Sequence, residues 1–288
     1  MIQLIAESGS TKTSWHLIKE NQELCSTKTL GMNPYFTKKE ELISELTTVA
    51  RFLSNHLGST YEKVTAIHFY GAGYGNPETR KILYEAFQEV FPGSNVQIET
   101  DLLAAARALF GSKSGIVCIM GTGSNCGLYG GIDFIDRAPS LGFSLGDEGS
   151  AGFFGKWIVR DYYFKRLPTH IEEYVNTHFS MDLNHTLDRT YHQKHGNAYI
   201  ASFAKILATF REEDYILDLI ERGIHEFVMY QLGYFHALPQ KKVGMVGSVA
   251  FYHEEHIRNI LAKDGWNLVK VLQHPIHDLV TYHNQKFI

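Results

Sequence analysis

The sequence predicts an α/β fold, because short apolar runs typical of β-strands alternate with longer segments whose apolar residues recur at helical spacing. A chain of 288 residues, 44% of them hydrophobic, can build about two domains at the usual ~150 residues per domain. A third observation concerns organisation, since each half contains a glycine turn flanked by hydroxyl side chains directly after an apolar run. A two-domain α/β protein is therefore expected.

Short runs rich in β-branched and aromatic residues are predicted as strands. They comprise residues 2–6, 14–18, 64–70, 96–99, 116–120, 126–129, 243–246 and 268–272. The segments between them carry apolar residues at helical spacing and are predicted as helices. These comprise residues 38–57, 76–91, 102–110, 151–167, 199–210 and 215–238.

The domain boundary has no obvious marker in the composition. The sequence contains no low-complexity linker between its halves, so any boundary lies inside packed structure. We place it near Arg107, which gives predicted domains of 1–107 and 108–288.

A hydroxyl-rich glycine turn follows an apolar run in each predicted domain. The first is SGST at 8–11, and the second is TGSN at 122–125, which lies 114 residues further on. One interpretation is two ordinary hairpin turns, since glycine supplies the positive φ that such turns need. The other is a duplicated unit whose turns hold phosphate, because consecutive amides in a glycine-rich turn attract anions and hydroxyls add donors. Both interpretations remain open at this point.

Two common nucleotide-binding signatures do not account for these turns. The sequence has no G-x-x-x-x-G-K-[ST] pattern, which excludes a P-loop. The cluster Gly71, Gly73 and Gly75 lacks an acidic residue at the distance expected in a βαβ unit, which disfavours a Rossmann site.

Several carboxylates lie at predicted strand or turn ends, the places where α/β folds put their chemistry. Glu7 directly precedes the first turn, where it could reach a Mg²⁺ held by phosphates. Asp101 precedes the helix predicted over 102–110, and Asp147 and Glu148 precede the helix predicted over 151–167. The alternative is that Asp101 and Asp147 are helix N-caps.

Composition narrows the partners and the compartment. A net charge of -4 and a pI near 6.4 leave no basic surplus for a nucleic-acid backbone, so no nucleic acid is expected. No apolar stretch approaches the ~20 residues of a membrane span, and MIQLIAE does not resemble an export leader, which predicts a cytoplasmic protein without membrane contact. The cysteines Cys25, Cys118 and Cys126 show no paired metal spacing and are expected as reduced thiols.

A histidine-rich segment is assigned no function. His185, His192 and His195 lack a carboxylate or cysteine at ligand spacing, so residues 185–195 are expected to form a solvated loop rather than a metal site.

A series of motifs, taken in order, resembles the N-acetylglucosamine kinase family and its relatives, the activator ATPases of benzoyl-CoA-type reductases. The motifs are ESGSTKT, GMNP, ETDLLAAARAL, IMGTGSNC, LGDEGSAG and MVGSVA, extending from Glu7 to about Ala250. This family belongs to the superfamily of actin, the sugar kinases and the heat-shock chaperone ATPases. The resemblance implies two domains of duplicated RNase H-like topology, with ATP and a sugar in a cleft between them.

The resemblance also implies roles for individual residues. Asp101 matches the general base, which would accept the proton of the attacking sugar hydroxyl. The positions that match nucleotide-binding residues are Ser10, Thr11, Lys12, Gly121, Thr122, Gly123, Gly247 and Ser248. The positions that match sugar-binding residues are Asn33, Ser124, Asn125 and Asp147. The sequence departs from the family pattern at Glu7, where Asp is usual, and at Ser8 and Ser10, where glycines are usual.

The function implied by the resemblance is ATP-dependent phosphorylation of an amino sugar, N-acetylglucosamine or a related N-acetylhexosamine, with ATP and Mg²⁺. A nucleotide-binding sensor, or a kinase for another small molecule, is the alternative. An activator ATPase with an iron–sulfur cluster is not expected, because no cysteine follows Cys126. The oligomeric state is open, with a homodimer as one alternative.

Overall fold

The structure is a computed structural model that describes residues 2–9, 11–20, 22–57, 64–239 and 241–285. The chain forms two compact units. Unit 1 comprises residues 1–111 and 275–288, and unit 2 comprises residues 112–274.

Unit 1 is built on a five-stranded mixed sheet of order β3-β2-β1-β4-β5. The strands are β1 (Ile2–Ser8), β2 (Lys12–Lys19), β3 (Gln22–Leu30), β4 (Val64–Gly71) and β5 (Asn95–Thr100). β1, β2 and β3 form an antiparallel meander, whereas β4 and β5 run parallel to β1. The helices of this unit are α1 (Lys39–Leu57), α2 (Pro77–Val90), α3 (Asp101–Phe110) and the C-terminal α13 (Ile276–Gln285).

The two faces of this sheet are covered by different helices. Leu4, Ala6 and Trp15 point into a core that also takes in apolar residues of α1 and α2, including Leu46 and Phe87. α3 and α13 pack against each other and against β1, so they lie together with the central strand.

The C-terminal helix α13 belongs to unit 1, whereas the sequence predicted one domain over 108–288. Its side chains Ile276, Leu279 and Tyr282 are buried, and the helix packs on α3, β1 and β2. Burial of this apolar surface stabilises the packing of the C-terminal helix on unit 1.

Unit 2 repeats the sheet topology, with five strands in the order β10-β9-β6-β7-β8. The strands are β6 (Gly115–Met120), β7 (Ser124–Tyr129), β8 (Phe134–Arg137), β9 (Lys242–Val246) and β10 (Asn267–Leu272). β6, β7 and β8 form an antiparallel meander, and β9 and β10 are parallel to β6 and to each other. This is the arrangement of unit 1, so the predicted α/β fold with duplicated topology is confirmed.

The core of unit 2 is formed largely by apolar residues of β6, β9, α5 and α10, and nine helices are described in this unit. They are α4 (Gly142–Leu145), α5 (Ala151–Tyr163), α6 (Thr169–His178), α7 (Leu183–Tyr191), α8 (Gly196–Ser202), α9 (Lys205–Thr209), α10 (Asp214–Phe227), α11 (Ser248–Tyr252) and α12 (Glu254–Lys263). A π-helical segment, Val228–Leu232, and a 3₁₀ turn, Gly233–Phe235, continue from α10.

Several local predictions differ from the structure. The expected loop over 185–195 is largely helical, because α7 includes His185 and its N-cap Asp182 accepts a hydrogen bond from the His185 amide at 2.8 Å. The helix predicted over 199–210 is divided into α8 and α9. Within the described ranges, no helix has the length and apolar character needed to cross a membrane.

Candidate functional site

The first hydroxyl-rich turn joins β1 to β2 in a tight hairpin. The Gly9 amide donates to the Lys12 carbonyl at 3.0 Å, and Ser8 is paired with Thr13 across the hairpin. Ser10 lies outside the described residues. Thr11 and Lys12 are exposed. The turn therefore places Lys12 at the surface, directly beyond the end of the buried central strand.

Ser8 is a structural residue, although the family pattern has a glycine there. Its side chain is 1% exposed, and its Oγ accepts a hydrogen bond from the Met32 amide at 3.0 Å. The Thr13 hydroxyl donates to the Leu30 carbonyl at 2.9 Å, so in the 2.8 Å contact between the two hydroxyls Ser8 is the donor. This chain of hydrogen bonds ties the hairpin to residues 30–32.

The same segment positions Asn33. The Asn33 Oδ1 accepts a hydrogen bond from the Tyr35 amide at 3.0 Å, and the Tyr74 hydroxyl donates to the Met32 carbonyl at 2.7 Å. A Cβ on Gly73, where φ is +88°, would lie 3.0 Å from Asn33 Oδ1. Asn33 is therefore held in a buried position by a tight turn on one side and a glycine on the other.

Glu7 and Asp101 lie at the same edge of the sheet in unit 1. Ser8, Gly71 and Thr100 are aligned across the parallel strands β1, β4 and β5, and Asp101 directly follows Thr100. The carboxyl ends of parallel strands meet at one edge, which is where α/β folds bind ligands.

The two carboxylates influence each other. Burial and, to a smaller extent, the nearby Asp101 carboxylate raise the pKa of Glu7 to about 7, against the opposing effect of Lys12. A pair of like charges in a partly desolvated position is stabilised by a cation or by a proton. Either a proton or a divalent cation could therefore stabilise Glu7, and its predicted role as a Mg²⁺ ligand stays a prediction.

Asp101 is not the N-cap of α3. That position belongs to Thr100, whose Oγ1 accepts a hydrogen bond from the Leu103 amide at 3.3 Å. Asp101 is the first residue of the helix, and its Oδ1 accepts from the Leu102 amide at 2.8 Å. The amide bond and the positive end of the helix dipole both stabilise the charged carboxylate and fix its orientation.

The second hydroxyl-rich turn joins β6 to β7 in unit 2, and it is fastened to the start of α5. The amides of Ala151 and Gly152 donate to the carbonyls of Gly121 and Thr122 at 2.8 and 3.0 Å. In a trans peptide the N–H points opposite to the C=O, so the amides of Thr122 and Gly123 point away from α5. Two consecutive amides directed to the same side form the kind of concavity that binds anions.

Asp147 is not a helix cap either, since Ser150 caps α5 by accepting from the Phe153 amide at 3.1 Å. Asp147 adopts φ +61°, a left-handed conformation that Asp tolerates better than most residues. Its Oδ1 accepts from the Ser124 amide at 3.1 Å, and a Cβ on Gly123 would lie 2.8 Å from its Oδ2. The carboxylate therefore packs directly on the second turn.

Partial burial raises the pKa of Asp147, whereas the Ser124 amide and the charge of Lys156 act to lower it. Beside it, the Ser124 Oγ is buried and has no hydrogen-bond partner among the described residues. Asn125 uses its Oδ1 to accept from the Cys126 amide at 2.9 Å. A buried hydroxyl with unused hydrogen-bonding capacity, next to a carboxylate, is a position where a polar ligand gains affinity.

Gly247 connects β9 and α11 to the second turn. Its φ is +130°, and a Cβ at this position would lie 2.2 Å from the Met120 carbonyl oxygen and 2.9 Å from the Gly121 nitrogen. Only glycine permits this approach of two backbones. Ser248 follows as the exposed first residue of α11.

The predicted site residues thus form two groups, one in each unit. Unit 1 brings Glu7, Asp101 and Lys12 within electrostatic range of one another. Unit 2 brings the predicted turn residues 121–125 together with Asp147 and Gly247. The roles assigned to these residues remain predictions.

Sequence reasoning missed three residues that hold these groups in place, namely Ser8, Thr100 and Ser150. The signal for the last two was present, because Thr and Ser before a helix are preferred N-caps, but the neighbouring acidic residues were equally suitable. Glu148, also singled out in the sequence, accepts a hydrogen bond from the Gln231 side chain at 2.9 Å.

The chain is similar over nearly its whole length to several solved structures. The structure of a putative N-acetylglucosamine kinase from Porphyromonas gingivalis is 30% identical, with 100% of both chains covered and a TM-score of 0.90. A putative N-acetylglucosamine kinase from Chromobacterium violaceum is 15% identical, with 98% of both chains covered and a TM-score of 0.72. A ROK family glucokinase from Streptomyces griseus, in complex with glucose and AMPPNP, is 15% identical, with 99% of both chains covered and a TM-score of 0.59.

The last two similarities show the fold alone. No protein-family model and no curated protein sequence matches the chain.

Proposed function

Since the chain belongs to the N-acetylglucosamine kinase family, whose members are sugar kinases with the actin-like ATPase fold, we propose that it transfers the γ-phosphoryl group of ATP to a hydroxyl of an N-acetylhexosamine. The observation that carries this proposal is the position of Asp101 beside Glu7, at the carboxyl edge of the sheet and not serving as a helix cap. The similarity to a putative N-acetylglucosamine kinase supports the choice of acceptor.

In this proposal Asp101 is the general base. The Leu102 amide holds its Oδ1, so the carboxylate is oriented before the sugar arrives. The attacking hydroxyl donates a hydrogen bond to this carboxylate and passes its proton to it late in the transfer. The oxygen of that hydroxyl forms the new bond to phosphorus as the bond to ADP breaks.

The groups that would bind ATP lie mainly in the second turn. The amides of Thr122 and Gly123 would donate to phosphate oxygens, and a Cβ on Gly121 would meet no atom within 4 Å, which leaves room for phosphate. Gly247 and Ser248 would flank the adenosine, and Ser10, Thr11 and Lys12 would add donors from the first turn. Mg²⁺, held through Glu7, would supply neutralisation of the developing phosphate charge.

The acceptor sugar would be held by Asp147, Ser124, Asn125 and Asn33. Asp147 is suited to accept hydrogen bonds from sugar hydroxyls, because its Oδ1 is already fixed by the Ser124 amide. The unused hydroxyl of Ser124 and the carboxamide of Asn33 can form hydrogen bonds with a polar substituent of the sugar. A sugar without that substituent would leave these groups unpaired and would bind more weakly.

A coupled assay that measures ADP release with Mg²⁺ tests the proposal, with N-acetylglucosamine, N-acetylmannosamine, N-acetylgalactosamine, glucosamine and glucose as acceptors. We expect the highest kcat/KM for an N-acetylated hexose, and mass spectrometry should detect one added phosphate. The Asp101→Asn variant is the control for contaminating kinases, since it should release ADP far more slowly. Phosphorylation of only plain hexoses, or of none, would instead support the alternative of a sensor or of a kinase for another molecule.

A further inference from the structure

A cluster of three metal-ligating side chains lies in unit 1, apart from the carboxylate pair. His16 belongs to β2, Glu23 to β3 and His277 to the first turn of α13. Each offers one ligand atom, and these atoms all lie within 4.8 Å of one another. Among the described residues this is the one group of three or more such side chains, and it brings the C-terminal helix α13 together with the β2–β3 hairpin.

A β-bulge brings Glu23 to the same face of the sheet as His16. The pairing of β2 with β3 shifts between Leu17 and Ile18, so Leu24 is the extra residue and Glu23 is opposite Ile18. Ile18 and His16 are two residues apart on β2 and therefore share a face. Without the bulge, Glu23 would point to the opposite face, since a shift of one residue reverses the side chains.

The His16 imidazole is poised for a ligand. It is 6% exposed, and its Nδ1 lies 2.9 Å from Glu23 Oε2. This short contact places a carboxylate oxygen directly beside a buried ring nitrogen. An imidazole nitrogen and an adjacent carboxylate oxygen are both ligand types that a divalent cation accepts.

The other two side chains complete a ligand set at the surface. The His277 ring lies edge-on to the His16 ring, with centroids 5.3 Å apart and an interplanar angle of 86°. Both Glu23 and His277 are exposed and can rotate toward an ion.

We propose that His16, Glu23 and His277 form a binding site for a divalent transition-metal ion, with Zn²⁺ as the expected ligand. Two imidazoles and one carboxylate are a donor set that Zn²⁺ accepts in tetrahedral geometry, with water in the fourth position. Ligand atoms around such an ion are about 3.3 Å apart, so the exposed His277 and Glu23 side chains need to move by only about 1 Å.

The bound ion would join α13 to β2 and β3. Because α13 also packs on α3, whose first residue is Asp101, the ion would stabilise the part of unit 1 that carries the proposed base. The residues of this site are separate from those assigned to ATP and sugar, so the proposed metal binding does not depend on the proposed kinase reaction.

Calorimetric titration of the chelator-treated full chain with Zn²⁺ tests the proposal. We expect one strong site per chain, with affinity reduced at least tenfold in His277→Ala and in Glu23→Gln. Both residues are exposed, so these variants should fold even if a variant of the buried His16 does not. Co²⁺ in place of Zn²⁺ should give visible absorption typical of nitrogen and oxygen ligands, without thiolate bands.

The matched control is His225→Ala. His225 Nε2 lies 3.7 Å from Glu221 Oε1, an exposed histidine–carboxylate pair that does not belong to any group of three ligands among the described residues. The affinity of the His225→Ala variant for Zn²⁺ should equal that of the wild type. The proposal is overturned if no site of unit stoichiometry is found, if His277→Ala binds as tightly as wild type, or if His225→Ala loses affinity equally.

Discussion

Replacement of Gly247 by alanine should destabilise unit 2 and weaken ATP binding together. Gly247 has φ +130° and ψ 161°, a region that is essentially restricted to glycine. The added methyl group would lie 2.2 Å from the Met120 carbonyl oxygen and 2.5 Å from its carbonyl carbon. These are backbone atoms, so the clash cannot be relieved by rotation of a side chain.

The size of the effect follows from these two costs. A residue forced into this backbone region costs about 1 to 3 kcal/mol, and a shift of packed backbone costs about 1 to 3 kcal/mol more. The free energy of unfolding should therefore fall by about 2 to 6 kcal/mol, a large part of the roughly 5 to 15 kcal/mol available to a domain. At about 2 to 4 °C per kcal/mol, the Tm should fall by roughly 4 to 24 °C.

Differential scanning calorimetry beside an ATP titration measures both effects. Gly265→Ala is the matched control in the same unit, because its φ is +76° but its nearest neighbour would be the Lys241 Nζ at 3.9 Å. This control should lose only about 1 kcal/mol, the cost of a left-handed alanine, and should bind ATP normally. Equal melting of the two variants would show that the approach of Gly247 to Met120 does not constrain the fold.

Further predictions concern the other site residues. Gly121→Ala should keep the Tm of the wild type but raise the KM for ATP, since the methyl group enters open space at the turn; an unchanged KM would remove Gly121 from the phosphate site. Asp101→Asn should lower kcat by roughly 10² to 10⁴ and leave calorimetric sugar binding intact, whereas Asp147→Asn should mainly raise the sugar KM. Ser8→Gly should cost about 1 to 3 kcal/mol in chemical denaturation, because the Met32 amide loses its buried partner; unaltered stability would contradict this.

The sequence predicted the duplicated topology more successfully than it predicted the individual strands and their bounds. The two glycine turns and the apolar runs before them indicated the duplicated hairpins, because both signals are local in sequence. β3 was missed because most of its residues are exposed at an edge of the sheet, so it lacks the apolar character of a buried strand. β8 was missed because it is only four residues long.

The assignment of site residues had a different limit. Sequence spacing placed Asp101 and Asp147 before helices, but it could not show that Thr100 and Ser150 take the capping positions. That outcome depends on backbone dihedral angles, such as the left-handed φ of Asp147, which is stabilised by contact with the second turn. The structure therefore removes the capping explanation that competed with a functional one.

The pH dependence of stability separates a functional Glu7 from a structural one. Its pKa is about 7 in the folded chain, above the ordinary value of 4.5, so the folded state binds more protons than the unfolded state between these values. Stability contributed by the protonated form is complete below pH 4.5 and is lost as pH rises to about 7.

Glu7→Gln lacks this titration, so relative to wild type it should gain about 3 kcal/mol in unfolding free energy between pH 4.5 and pH 8. If Glu7 also anchors Mg²⁺, addition of Mg²⁺ should favour the ionised form and reduce that slope in the wild type only. The variant should then require more Mg²⁺ for half-maximal phosphorylation. If Glu7 had only a structural role, Glu7→Gln should raise the free energy of unfolding at neutral pH, since the uncharged amide avoids the desolvated charge beside Asp101. Equal slopes for the two proteins with and without Mg²⁺ would refute both the raised pKa and the proposed metal contact.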